Sequence, residues 1–191
     1  SANEILITTL EGLFLADLRT QTVTRFLAFP NCSRNPIVDS NGSVYIVRNA
    51  GIARIDSGKI EFVAGGLVGN VSLSMGKDGS IWAFSNGRPS PPNNDSSPRA
   101  VQVGKTLGTQ FEIEFDYPSA VAGAASIIDA GEFLICGTDI SKCSNLGTNL
   151  LVSARDNPLT NPGGILRLSS DRFLIACNDV ELWEIDINNG A

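Results

Sequence analysis

The 191-residue chain contains no histidine, one methionine and few aromatic residues, 7% of the total. The absence of histidine removes the commonest general base and the commonest metal ligand. No Ser-His-Asp or Cys-His arrangement can exist, so catalysis would fall to carboxylates, serine or lysine. Long apolar runs are absent too. Stretches such as 5–7, 44–47 and 133–135 fall far short of the roughly 18 residues of a membrane-crossing helix, and direct membrane insertion is not expected. There is no cluster of lysine or arginine, and 14 basic against 20 acidic residues leave a net charge of −6. Nucleic acid and anionic membrane surfaces are therefore poor partners. Gly65-Gly66 and Gly163-Gly164 follow no phosphate-loop pattern, and no nucleotide or other cofactor is expected. No signal peptide is visible, and the start at Ser1 without methionine predicts a mature or excised fragment.

What is present is a repeat. A turn followed by an apolar strand occurs at Val38 to Val47, Gly76 to Phe84, Ile128 to Cys136 and Leu168 to Ala176, and Asn3 to Thr8 matches the strand half alone. Ile5, Val44, Ile81, Phe133 and Phe173 fall at equivalent places, separated by about 39, 37, 52 and 40 residues. Short strands at such a period predict an all-β chain of about five small antiparallel blades, a β-propeller, or a fragment of a larger one, with residues 1–191 forming a single domain.

Each unit parses into up to four strands, a to d from the axis outward. The first unit lacks a, with b at 4–9, c at 12–17 and d at 22–29. The second is complete, at 35–39, 43–48, 51–56 and 59–64. The third places a at 71–75, b at 80–84, c near 100–103 and d at 110–117. The fourth places a at 125–129, b at 132–136 and c at 150–154, leaving d unassigned. The fifth, at 164–168, 172–177 and 180–186, ends before d. No terminal strand remains to be shared between the ends. Two architectures follow: a five-bladed ring with three-stranded terminal blades, or part of a larger ring whose free edges attract further strands. Residues 86–99 carry proline, serine and asparagine without a large apolar residue and predict a mobile surface loop.

Four cysteines, Cys32, Cys136, Cys143 and Cys177, accompany Asn-x-Ser sequons at Asn31, Asn41, Asn70 and Asn94, a combination that predicts a secreted or cell-surface glycoprotein. Asn41-Gly42-Ser43 is turn chemistry as well. The d-to-a and b-to-c connections of a propeller lie at one end, which predicts that all four cysteines share it with insertions at 86–99 and 137–149. That decorated end is the expected binding surface. Three pairings are possible. The short loop between Cys136 and Cys143 favours that pair, leaving Cys32 with Cys177 to clasp the first and fifth blades, a closure of roughly 4 to 5 kcal/mol in the chain-entropy model. The spacing does not fit a zinc knuckle, and no metal site is expected.

Asp39, Asp78, Asp129 and Asp171 recur in the a-to-b turns at the opposite end and are expected to be turn formers that do not converge on one ion. Asp95, Glu112, Glu114 and Asp116 are acidic without a spacing that forces them together. The last three alternate along a strand and are expected on a solvated face. Trp82 and Trp183 fall within strands, where packing is the expected role.

Residues 36–47 followed by Gly51 to Asp56 resemble repeats of the NHL and gluconolactonase-like propellers. Phe133 to Thr138 with Cys143 is similar to the Cys-Gly-Thr blade segment of semaphorin and plexin ectodomains, which are seven-bladed propellers that mediate cell-surface recognition. The first resemblance implies fold, and with it the alternative of a calcium-dependent lactonase-like enzyme, which would use acidic and amide residues around the central channel. The second implies extracellular recognition. The expectation is a non-catalytic extracellular recognition or adhesion module that binds a protein or glycan partner through its loop-bearing end. A structural segment completing a larger propeller is the other alternative.

Overall fold

The computed structural model describes residues 3–9, 11–28, 32–48, 51–65, 67–87, 99–103, 110–114, 124–129, 132–136, 139–144, 146–153, 162–177 and 181–189. These residues form eighteen strands in five antiparallel sheets and no helix. The first sheet is β1 (Glu4–Thr9), β2 (Gly12–Asp17) and β3 (Thr22–Leu27). The second is β4 (Cys32–Val38), β5 (Val44–Arg48), β6 (Gly51–Asp56) and β7 (Lys59–Ala64). The third is β8 (Val68–Met75), β9 (Ile81–Gly87), β10 (Arg99–Val103) and β11 (Gln110–Glu114). The fourth is β12 (Ala124–Asp129), β13 (Glu132–Cys136), β14 (Ile140–Ser144) and β15 (Gly147–Val152). The fifth is β16 (Pro162–Arg167), β17 (Arg172–Cys177) and β18 (Glu181–Asp186). Each sheet follows chain order, and consecutive sheets meet through their inner strands, β1 on β4, β4 on β8, β8 on β12 and β12 on β16. The chain has a β-propeller fold, with three-stranded sheets at its two ends as the repeat predicts.

The side-chain alternation of a strand decides how the sheets stack. In β5, Val44 and Ile46 pack toward Leu6 and Leu13 of the first sheet, while Tyr45 and Val47 pack toward Leu73, Ile81 and Ala83 of the third. In β9, Trp82 and Phe84 turn the other way and meet Ala125, Ile127, Phe133 and Ile135. In β13, Leu134 and Cys136 face Phe173, Ile175 and Cys177. Four apolar clusters thus fill the four junctions between consecutive sheets. The middle strands of the inner sheets are buried on both faces, which is why they read as continuous apolar runs.

The terminal sheets differ. In β17 only Phe173, Ile175 and Cys177 are buried, and the residues between them face away from the fourth sheet. In β1, Ile5 and Ile7 are 48% and 40% exposed although the sequence there is as apolar as in β5. Among the described residues no buried cluster joins the fifth sheet to the first, and Ile5, Val23, Leu166 and Leu182 on their outward faces are exposed, so the described strands form an arc with an open side.

Several sequence expectations are corrected. The fourth sheet is complete: 140–144, read as loop, is its third strand, and 147–152 is its fourth. Ser141 and Lys142 disguise the strand, yet Ile140 pairs with Cys136 and Cys143 with Phe133. This register also excludes the Cys136–Cys143 bridge. Cys143 lies on the Phe133 side of the sheet, within the junction with the third sheet, whereas Cys136 lies on the Leu134 side, facing the fifth. Two cysteines on opposite faces of one sheet cannot bond. Cys143 also stands at the opposite end of the strands from Cys136, so the four cysteines do not share one end. The Cys32–Cys177 clasp is not formed either. Cys177 is a free thiol turned toward the fourth sheet, while Cys32 opens β4 of the second sheet, its side chain lying outside the described residues. The expected loop at 86–99 is shortened at both margins by β9 and β10, and 88–98 lies outside the described residues.

Burial raises the thiol pKa of Cys136, with the neighbouring Cys177 adding to the effect. Burial likewise raises those of Cys143 and Cys177. A raised folded-state value means that the neutral thiol is favoured in the fold, so this contribution is intact below the unfolded thiol's pKa and declines as pH rises past it. Urea titrations should therefore show stability falling above about pH 8.5, by up to about 1.4 kcal/mol per pH unit for each buried thiol, with a shallower fall in Cys136→Val. Native thiol labelling at neutral pH should modify at most one cysteine, Cys32, before unfolding. A Cys136–Cys143 peptide in nonreducing mass mapping would contradict the register. Phe133, 1% exposed and edge-on to Trp82 at 5.1 Å, sits in the junction of the third and fourth sheets. Phe133→Ala should cost about 3 to 5 kcal/mol in urea denaturation.

Candidate functional site

A polar pocket lies between the second and third sheets, at the end that carries the β4–β5 and β8–β9 turns. It encloses about 370 Å³ and is lined by 39–41, Tyr45 and Arg54 on one side and by 78–81, Gln102 and Val103 on the other. The turns position its rim. Asp39 Oδ1 accepts the backbone N–H groups of Asn41 and Ser43, each at 2.9 Å, and Gly42 follows at φ 83°, a left-handed conformation that favours glycine. Asp78 repeats the arrangement: its Oδ1 accepts Ser80 N–H at 3.0 Å and the Ser80 hydroxyl at 2.6 Å, with Gly79 at φ 78°. The aspartates are turn formers, as expected, and the Ser80 hydroxyl in particular holds the Asp78 carboxyl below the usual carboxylate range. The sequence reading missed that two such turns from neighbouring sheets flank one pocket.

Tyr45 and Arg54 are paired across β5 and β6 and both face the third sheet. Burial raises the Tyr45 pKa, the Arg54 charge opposing it, so the phenol stays protonated and donates toward Asp39 Oδ2 at 3.4 Å. Arg54 Nη2 donates to Ser43 Oγ at 3.1 Å and to Asp56 Oδ2 at 2.9 Å. The wall thus presents carboxylate acceptors beside a phenol and a guanidinium, a mixture suited to hydroxyl groups. With Arg54 already paired to Asp56, Asp39 and Asp78 leave the rim negative and unfavourable to anions. A polar pair on an otherwise apolar inward face was the one sequence signal available.

A further cavity, about 620 Å³, lies at the axis, bounded by β1, β4, β8, β12 and β16 and continuing outward over β17 and β18. Its polar groups are structurally committed. Ser74 Oγ accepts Ile127 N–H at 2.9 Å and lies 3.3 Å from Ser126 Oγ, tying the third sheet to the fourth. Arg167 donates to the carbonyls of Ile128, Ser169 and Ser170, each at 2.8 Å, and its guanidinium lies 5.5 Å from the centre of the Phe173 ring. It thereby joins the fifth sheet to the fourth.

The remaining expected sites are dispersed. Asn41 is exposed on the pocket rim, and Asn70 lies in β8, its side chain outside the described residues together with Asn31 and Asn94. Glu112 and Glu114 lie on β11, their side chains not described, and Asp95 and Asp116 lie outside the described residues. Asp129 ends β12, and the Ser169 hydroxyl donates to Asp171 at 2.7 Å, lowering that carboxyl's pKa. Trp82 is buried packing, while Trp183 is half-buried at the edge of the fourth junction and donates to Glu181 Oε2 at 3.2 Å. Among the described residues no three Cys, Asp or Glu side chains gather as a metal site, and no helix is long and apolar enough to cross a membrane.

Arg167→Met keeps the length of the side chain but removes its donors from inter-sheet carbonyls. It should lower stability by about 2 kcal/mol in urea denaturation, and an unchanged midpoint would show that these bonds do not hold the fifth sheet.

No protein-family model matches the chain, and no curated protein matches significantly. Solved structures do. A gluconolactonase from Xanthomonas campestris is 14% identical with a TM-score of 0.71, the match covering 99% of this chain and 71% of that one. The calcium-binding protein regucalcin from Agrobacterium tumefaciens is 16% identical with a TM-score of 0.63, over 92% of this chain and 64% of that one. The extracellular domain of a one-component system from B. thetaiotaomicron is 14% identical with a TM-score of 0.65, over all of this chain and 27% of that one. The chain therefore spans about a quarter to about three quarters of the length of these structures, and at such identities the likeness establishes one thing, the β-propeller fold.

Proposed function

We propose that this chain is a non-catalytic extracellular recognition module that binds a protein or glycan partner. The observation that carries the reading is the polar pocket between the second and third sheets, where Tyr45, Arg54, Asp39 and Asp78 offer hydroxyl-binding donors and acceptors on a rigid framework. Support for the loop-bearing end is weaker than the sequence implied, because one of its two insertions is strand β14. Fold likeness to an extracellular domain, the four sequons and the negative charge favour an extracellular setting. The alternative of a calcium-dependent lactonase-like enzyme draws its support from fold likeness alone.

The pocket suits a neutral, hydroxyl-rich ligand, such as a sugar ring or a Ser/Thr-rich peptide segment. A glycan on Asn41 would stand at its rim, so Asn41→Gln material secreted from eukaryotic cells is the form to test. Glycan-array screening followed by titration with the best-bound saccharide should give an affinity that falls about five- to tenfold in Tyr45→Phe, the equivalent of one hydrogen bond, at unchanged thermal midpoint. Affinity unaffected by Tyr45→Phe but abolished by deleting 88–98 would move the binding surface to the opposite end and contradict the assignment.

A further inference from the structure

We infer that the open side of the arc is a docking surface for one further four-stranded β-sheet of the same repeat. The two walls of the opening are sheet faces built as junction faces and left without a neighbour. On the first sheet, the register places Ile5, Ile7, Phe14 and Val23 on the face turned away from the second sheet. On the fifth, Leu166, Leu174, Ala176 and Leu182 share the face turned away from the fourth sheet. Leu166 is 60% exposed and Leu182 69%, whereas the counterparts of Leu182 in the inner sheets, Ile52, Ala100 and Ile140, are fully buried. The axial cavity runs onto the fifth-sheet wall of this gap, where Leu166, Leu174, Ala176 and Leu182 line it.

The shape and chemistry of the gap select its occupant. In each of the four junctions among the described residues an apolar sheet face is covered by an antiparallel sheet presenting its own alternate residues, and a helix or short peptide would leave one of the two walls bare. The terminal sheets have three strands where the inner ones have four, so an inserted sheet would arrive with edge strands to complete both. The lengths agree. The match covers 71% and 64% of the gluconolactonase and regucalcin chains, which leaves unmatched in each more than one unit of about forty residues. The inference is independent of the pocket between the second and third sheets, and its failure would leave that reading untouched.

The test is to append a copy of residues 32–65, the complete second unit, after Ala191 through a Gly/Ser linker. The parent chain should bind the apolar dye ANS. The fusion should bind several-fold less, and amide exchange in β1, β17 and β18 should slow at least tenfold. Leu182→Glu should restore dye binding and fast exchange in the fusion while leaving the thermal midpoint of the parent unchanged. Because one unit could simply fit poorly, a second fusion carries a copy of 124–153. The inference is overturned if neither fusion slows those amides. It is also overturned if the parent chain forms a stable dimer through Leu166 and Leu182, which would make a second copy the occupant. A parent that binds no dye and loses stability with Leu182→Glu would mean that the ring closes on itself.

Discussion

A β-sheet that is apolar on both faces needs a neighbour on each side, and the whole molecule follows from satisfying that need four times in succession. Val44 and Ile46 look one way from β5 while Tyr45 and Val47 look the other, and the same division recurs in β9 and β13. Neither face is optional, because each buried aliphatic side chain contributes about 1.5 to 3 kcal/mol only while its neighbour is in place. A small sheet of four short strands has too little core to stand alone, so stability is a property of the junctions.

Polar groups near the axis reinforce the same junctions. Ser74 bonds a backbone N–H of the next sheet, and Arg167 reaches back to a carbonyl of the preceding one. Such bonds lock the angle between adjacent sheets, which apolar packing alone leaves adjustable, because hydrogen bonds are directional and unpaired inner-strand backbone groups are costly. The price of this arrangement is that little along the axis is left free to act on a ligand. The better-furnished pocket lies off the axis, where two Asp-centred turns and the Tyr45–Arg54 pair meet between sheets.

The repeat was legible because its strongest strands are buried on both faces and therefore read as compact apolar runs after Asp- and Gly-bearing turns. The third strand of the fourth sheet was not, since Ser141 and Lys142 give it a loop-like composition and only pairing with β13 reveals it. The cysteine pairing failed for a related reason. Seven positions separate Cys136 from Cys143, but a tight hairpin places them on opposite faces, and sequence distance carries no information about face once the register is unknown. The pocket was hidden because its aspartates were correctly understood one turn at a time, whereas their proximity depends on how adjacent sheets stack. The apolar outward faces of the first and fifth sheets were visible in the sequence as strands like the others, and the structure adds that nothing among the described residues covers them.

If junctions carry the stability, protection should decrease toward the open side. Native-state hydrogen exchange across the described strands tests this most directly. The account predicts the slowest exchange in β5, β9 and β13, which have a sheet on each face, and opening at markedly lower free energy in β1 to β3 and β18. Uniform protection across all five sheets would contradict it, since it would mean that the terminal sheets have neighbours on both faces and that the ring is closed.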